Sequence, residues 1–230
     1  MERIEPSAQM LFVPDQVAGI ELLRRCEYMA RISHRTEEKQ TADSWERFIT
    51  SVVVNHGDWS VMRHASVSVE VVVNRALATE WRTHKFGAYS VEDETDDLFP
   101  FTQESTRFVN SQKRGGIKAI CPFPPNSWED NLWESRMDIA ETAYNEFLNA
   151  GYSPQTARDM LPHSVAAKFG VTFNLHQWRY FFIMRTTKET HEALRLVTLP
   201  LLEEFQNKIP IIYEDIVPNS LQRTNLRLPR

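Results

Sequence analysis

Three arginines stand where an anionic ligand could be gripped. Arg107, Arg158 and Arg185 each lie beside an element boundary rather than within a repetitive solvated face. A guanidinium fork matches a phosphate, or the carbonyl edge of a pyrimidine, through paired N–H donors. Arg158 opens the run Arg158-Asp159-Met160-Leu161-Pro162, with Asn174 sixteen residues after Arg158 and Arg185 eleven beyond that. Singly, each reads as an ordinary surface cation; the joint spacing makes them candidates. Two further segments join them: Thr83-His84-Lys85, and Gln103-Glu104-Ser105-Thr106-Arg107-Phe108. Between these lies an acidic segment, Ser90 to about Thr102, with Glu92, Asp93, Glu94, Asp96 and Asp97. Its carboxylates repel one another and a phosphate, so it reads as a solvated loop.

The elements that must position these residues are legible in outline. Met10–Val13 reads as a short strand. Val17, Ile20, Leu23, Tyr28 and Ile32 have the spacing of an amphipathic helix ending near Ser33. A second helix is expected over Ser44–Val54, stopping before Asn55-His56-Gly57. Val67–Val73 has the β-branched alternation of a strand, and helical potential resumes over Ala76–Lys85. Ser127-Trp128-Glu129-Asp130 reads as a capping box for a long helix terminated by Gly151. Ser153-Pro154 supplies a cap and a first-turn proline for a short helix to Met160. Lys168–Phe173 reads as a strand, followed by helices over Leu175–Met184 and Lys188–Phe205. No internal repeat is read. The tail from Pro210 to Arg230 is irregular. This order, without regular βαβ alternation, indicates an α+β fold, a mixed sheet flanked by long helices. The chain reads as a single domain over 1–230.

Composition sets limits. A net charge of -5 over 230 residues argues against a general nucleic-acid binder, which carries a clustered basic face. A mononucleotide needs only a few local cations. Cys26 and Cys121 make no disulfide framework, and Cys121 reads as a small buried hydrophobe. The start lacks a signal-peptide apolar core, and no run approaches the roughly 20 apolar residues of a membrane span. A cytoplasmic protein without a membrane association is expected. The histidines show no metal-ligand spacing, so no metal is expected, and no P-loop or GxGxxG is present. Trp178, Tyr180, Phe181 and Phe182 form an aromatic helix stripe that reads first as core.

From about Ser33 to Phe205 the chain resembles the flavin-dependent thymidylate synthases. Their signature is Arg-His-Arg, seven residues, Ser, and an Arg two places on. Here the halves are Thr83-His84-Lys85 and Ser105/Arg107, separated by the acidic insert. Arg158-x-x-Leu161-Pro162 is similar to the family's Ala-Arg-x-x-Leu-Pro run, and Asn174 and Arg185 fall at family spacings. The resemblance implies an FAD cofactor reduced by NADPH, with methylenetetrahydrofolate supplying one carbon to C5 of the uracil of dUMP. It implies a homotetramer with active sites shared between subunits. It implies that Gln103, Glu104, Ser105, Arg107 and Arg158 bind the substrate, and that Arg185 contacts the uracil as the catalytic residue. On the flavin side it implies Ser33, Ser60, Arg82, Thr83, His84, Lys85, Asn174, His176 and Tyr180. Several of these depart from the family pattern. Thr83 loses a charge that adjacent Arg82 is placed to replace, Lys85 loses the planar fork, and Arg63 replaces a glutamate. His176 stands for a flavin-contacting arginine and Tyr180 for a polar residue. Two alternatives follow: a UMP C5-methylase of specialised nucleoside biosynthesis, and a non-catalytic nucleotide-binding homologue.

Overall fold

The structure, a computed structural model, describes residues 1–84, 99–113 and 115–218. In chain order the elements are β1 (Glu2–Arg3), β2 (Ser7–Leu11), α1 (Gln16–Ile32), α2 (Ser44–Phe48), β3 (Ser66–Asn74), α3 (Arg75–Arg82) and β4 (Phe101–Gln103). Then come β5 (Lys118–Ala119), α4 (Trp128–Asn149), α5 (Pro154–Ala157), β6 (Ala166–Asn174), α6 (Leu175–Arg185) and α7 (Glu192–Lys208). Four strands form one sheet in the order β2-β3-β6-β4, and β1 pairs parallel with β5. The α+β expectation is met. No helix among the described residues is long and apolar enough to cross a membrane.

The chain divides into two compact units. The first comprises Met1–Ser7, Val71–Thr83 and Thr102–Phe169; the second comprises Ala8–Glu70, His84–Phe101 and Gly170–Arg230. In the first unit, Ile117, Ala119, Met137, Tyr144, Ala157 and Val165 make a buried apolar cluster under α4 and α5. In the second, α6 is buried nearly all round. Trp178, Phe181 and Phe182 are fully buried and meet Phe173, Phe205 and Tyr213 at ring separations of 4.6–5.9 Å. The Trp178 indole N–H donates to Val67 O at 2.9 Å, which satisfies its one buried donor. The aromatic stripe is therefore core. A Cβ on Gly19 would collide with the Lys208 carbonyl, so only glycine fits where α1 approaches the end of α7.

Several boundaries differ from the sequence expectation for physical reasons. Where a strand was expected over Met10–Val13, β2 spans Ser7–Leu11, because Phe12 takes φ 63 and ends the extended run. The helix expected over Ser44–Val54 widens after Phe48 into a π-helical stretch, Ile49–Asn55. At α4, Ser127 Oγ accepts from Asp130 N as a cap should, but Asp130 does not complete the box. Its carboxylate accepts from Asn126 N and pairs with Arg3 instead. The last helix starts at Glu192 rather than Lys188. Thr190 Oγ1 donates to Met184 O, and His191 Nδ1 accepts from Ala193 N, holding the preceding residues in turns. Cys121 is half-buried, not buried, with Sγ 3.2 Å from Asp130 Oδ1.

The absence of a repeat in the sequence conceals one in the backbone. Asn74 ends β3 at φ -70, ψ 163 and caps α3 by accepting from Leu77 N at 2.9 Å. Asn174 ends β6 at φ -70, ψ 165 and caps α6 by accepting from Gln177 N at 2.8 Å. The same strand–asparagine–helix turn occurs twice.

Candidate active site

In the first unit, Gln103 ends β4, and the chain continues through Glu104 and Ser105 in an irregular turn. Glu104 N donates to Lys168 O at 2.8 Å, which holds this turn against β6. Ser105 Oγ accepts from Arg107 N at 3.2 Å, a local serine turn that fixes the direction of the chain. Arg107 is exposed; its Nε donates to Gln155 Oε1 at 3.2 Å and its guanidinium lies 5.3 Å from the Phe108 ring centre. Glu104 and Ser105 line a cavity of about 360 Å³ with Arg75 and Lys168, whose apolar wall includes Val72, Ile117 and Val165. This is within the usual size range of small-molecule sites.

A second cavity of about 410 Å³ is lined by Arg158, Asp159, His163, Arg75 and Thr106. Arg158 reaches it from the single turn that follows α5. The two cavities share Arg75, Thr106 and Leu161. Residues about fifty positions apart in the chain, Ser105 and Arg158, are thus brought to adjoining spaces within one unit. Arg75 and Lys168 were not anticipated from the sequence. The same cue that singled out the other arginines, a cation at an element boundary, applied to Arg75, which directly follows Asn74.

Burial first, and then the nearby Arg158 charge, hold the Arg75 guanidinium below its ordinary value, while Glu104 opposes the shift. Arg82 and Thr83 close this unit's α3. Arg82 is exposed, and Thr83 Oγ1 donates to Thr79 O at 2.8 Å, an ordinary helix-end bond.

In the second unit, Arg185 is the last residue of α6, and its Nε donates to His84 Nδ1 at 3.2 Å. His84 is buried, with its ring 5.6 Å from Tyr180 and 5.2 Å from Phe181. Asn174 and His176 open the same helix. His176 stacks on Trp59 at 6.3 Å and 19°. Burial, followed by the charges of Arg63 and Arg179, pushes its imidazole down to about 4, so it is neutral at pH 7. Ser60 is exposed beside Trp59, and Ser33 is exposed at the end of α1 with Oγ donating to Ala30 O at 2.8 Å. Lys85, like most of the acidic segment, lies outside the described residues.

A flavin presents carbonyl oxygens on its ring edge and anionic oxygens on its phosphates, and so requires donors. In the second unit Asn174 Oδ1 is committed to its cap, which leaves the amide N–H groups as donors. Ser60 adds a hydroxyl. The chemistry of these second-unit donors fits the carbonyl edge of a flavin. Arg82, in the first unit, makes no ion pair among the described residues.

Comparison with known proteins bears on the same residues. Residues 20–211 match the family model described as thymidylate synthase complementing protein. The flavin-dependent thymidylate synthase of Geobacter sulfurreducens is 24% identical over 93% of this chain and 88% of its own length. That of Saccharolobus solfataricus is 25% identical over 82% of this chain and 68% of its own length. The crystal structure of the UMP/dUMP methylase PolB from Streptomyces cacaoi bound with 5-Br dUMP superposes with a TM-score of 0.70. It covers 93% of this chain and 96% of PolB at 16% identity, which establishes a shared fold. The chain belongs to the thymidylate synthase complementing protein family.

Proposed function

We propose that this protein is a flavin-dependent methyltransferase that places a methyl group on C5 of the uracil of dUMP. The observation that carries the reading is the pair of adjoining cavities in the first unit. One is lined by Glu104 and Ser105 and the other by Arg158, with Arg75 common to both. A polar and apolar cavity beside a cationic one suits a nucleoside joined to a phosphate. Family membership over residues 20–211 and the flavin-dependent relatives support the class of chemistry.

In this reading Arg158 holds the phosphate, and Gln103, Glu104, Ser105 and Arg107 hold the sugar side. Arg185 faces the uracil and stabilises negative charge that develops there, a preorganised electrostatic role. His84 fixes the orientation of Arg185. Ser33, Ser60, Arg82, Thr83, Lys85, Asn174, His176 and Tyr180 hold the flavin. FAD, reduced by NADPH, supplies when bound the electrons that complete the methyl group derived from methylenetetrahydrofolate. The protein's own share is binding and orientation. It acts in the cytoplasm as a homotetramer with active sites shared between subunits. Large exposed apolar side chains, Phe12 at 89%, Phe108 at 78% and Trp128 at 70%, are of the kind that assembly covers.

A UMP-directed activity is the second reading, since PolB was crystallised with both 5-Br dUMP and 5-Br UMP. The test is methylation with FAD, NADPH and methylenetetrahydrofolate, with dUMP and UMP in parallel. C5-methylated product from dUMP is expected. Greater product from UMP selects the second reading, and none from either, with nucleotide still bound, overturns catalysis.

A further inference from the structure

Arg179 lies on α6 three residues after His176, is buried, and has no part in the chemistry described so far. Its guanidinium is nonetheless closely held. Nη1 and Nη2 each donate to one carboxylate oxygen of Asp215 at 2.6 Å, and Nη1 also donates to Ile212 O at 2.6 Å. The guanidinium carbon lies over the Trp59 ring, 4.2 Å from its centre. A guanidinium whose N–H groups are committed in its plane can still offer its face to an aromatic ring. The same indole stacks on His176, and Ser60 follows it in the turn Trp59–His64. Trp59 therefore meets two residues of α6 that share one helix face, His176 and Arg179.

The segment that supplies the partners of Arg179 is itself strained and fastened. Ile211 takes φ 73, a left-handed conformation that a β-branched residue keeps only where its surroundings enforce it. Ile211 N donates to Glu214 Oε1 at 2.8 Å. Gln206 Nε2, on α7, donates to Tyr213 O at 3.0 Å and to Ile216 O at 3.1 Å. The Tyr213 hydroxyl donates to Leu175 O at 2.9 Å, at the first residue of α6. Residues 211–216 are thus tied to both helices, and they present Ile212 O and Asp215 to Arg179.

We propose that Arg179 is a positioning residue for the flavin: anchored by Asp215 and Ile212 O, it fixes Trp59, and through Trp59 it sets the places of Ser60 and His176. The inference rests on the flavin reading above, in which Ser60 and His176 hold the cofactor. Side chains already in place lose less freedom when a ligand arrives, so the anchored arginine strengthens binding without touching the ligand.

The experiment titrates FAD into the full chain stripped of flavin, with binding read from the quenching of flavin fluorescence. The melting temperature of each flavin-free variant is read beside it. Arg179→Met should weaken FAD by roughly five- to tenfold, the scale of ordering one or two side chains on binding. Arg179→Lys, which keeps the charge and loses the fork, should recover only part of this. If Arg179→Met does not fold, Asp215→Asn, at a side chain 54% exposed, is read by the same comparison. In a Trp59→Leu chain, Arg179→Met should cost no further affinity, because its effect passes through Trp59. A lowered melting temperature with unchanged FAD affinity, or losses that add in the double variant, overturns the positioning role. If the wild-type chain binds FAD and Arg179 proves silent, that role alone falls; if the wild-type chain takes up no FAD, the flavin reading falls with it.

Discussion

Arg185 donates from Nε to Nδ1 of His84 at 3.2 Å, so the residue assigned to the uracil is held by the middle residue of the altered signature triplet. The rings of Tyr180 and Phe181 fix the imidazole in turn. The guanidinium is left with its terminal N–H groups to present to a ligand. Arg185→Ala should reduce kcat by about 10²–10³-fold, the scale of losing one oxyanion donor. FAD content, read from the flavin absorbance of the purified protein, should be nearly unchanged. Survival of activity would remove Arg185 from the catalytic role.

In the proposed mechanism His84 acts through Arg185, to which it is hydrogen-bonded, and its replacement should show a different kinetic pattern. His84→Ala should lower kcat by roughly tenfold while KM for dUMP moves less than twofold, because orientation is lost and charge is kept. His84→Asn, which restores an acceptor, should recover part of kcat. Equal losses in kcat and in thermal stability for both variants would mark His84 as a packing residue only.

Glu27 is fully buried in α1, and its carboxylate accepts from Arg31 Nε at 2.8 Å, Arg31 Nη2 at 2.7 Å and Ser44 Oγ at 2.7 Å. This cluster fastens the end of α1, two residues before Ser33, to the start of α2. Arg31→Ala would leave a buried charge short of its cation and should destabilise the protein by about 3–5 kcal/mol. Urea unfolding measures this; a loss under about 1 kcal/mol would show that water or the remaining Ser44 and Gln40 donors compensate.

The neutral His176 makes stability depend on pH in a definite direction. Its folded value near 4 lies below the roughly 6.5 of an unfolded histidine. Between those values the unfolded chain takes up a proton that the folded chain refuses. This contribution therefore leaves stability undiminished above about pH 6.5 and reduces it as the pH falls toward 4. By pH 5 the loss should be about 2 kcal/mol. His176→Gln should shrink the stability difference between pH 7.5 and pH 5 by that amount in denaturant titrations. An unchanged difference would show that His176 does not carry it.

Long elements with their own local signals were legible in the sequence. The spacing from Val17 to Ile32 places α1, and Ser127 marks the start of α4, because side-chain period and capping act within a few residues. The two- and three-residue strands β1, β4 and β5 carry no such signal. The β1–β5 pair joins Glu2 with Lys118 and Arg3 with Ala119, partners that only the folded chain brings together. Asp130 escaped its capping box for the same reason, since Arg3 reaches it from 127 residues away. In the candidate site, Ser105 and Arg158 were found by motif and spacing. Arg75 has neither, and its position depends on backbone bonds to His163 and Val165.

The repeated asparagine turn gives the chain an internal control. Asn74 and Asn174 have the same backbone conformation and each accepts from the amide three residues on. Replacing either by alanine removes a helix cap of about 1 kcal/mol. Only Asn174 is assigned to the flavin. Any FAD released by Asn174→Ala beyond that released by Asn74→Ala therefore measures the cofactor contact, with the capping contribution subtracted inside one molecule.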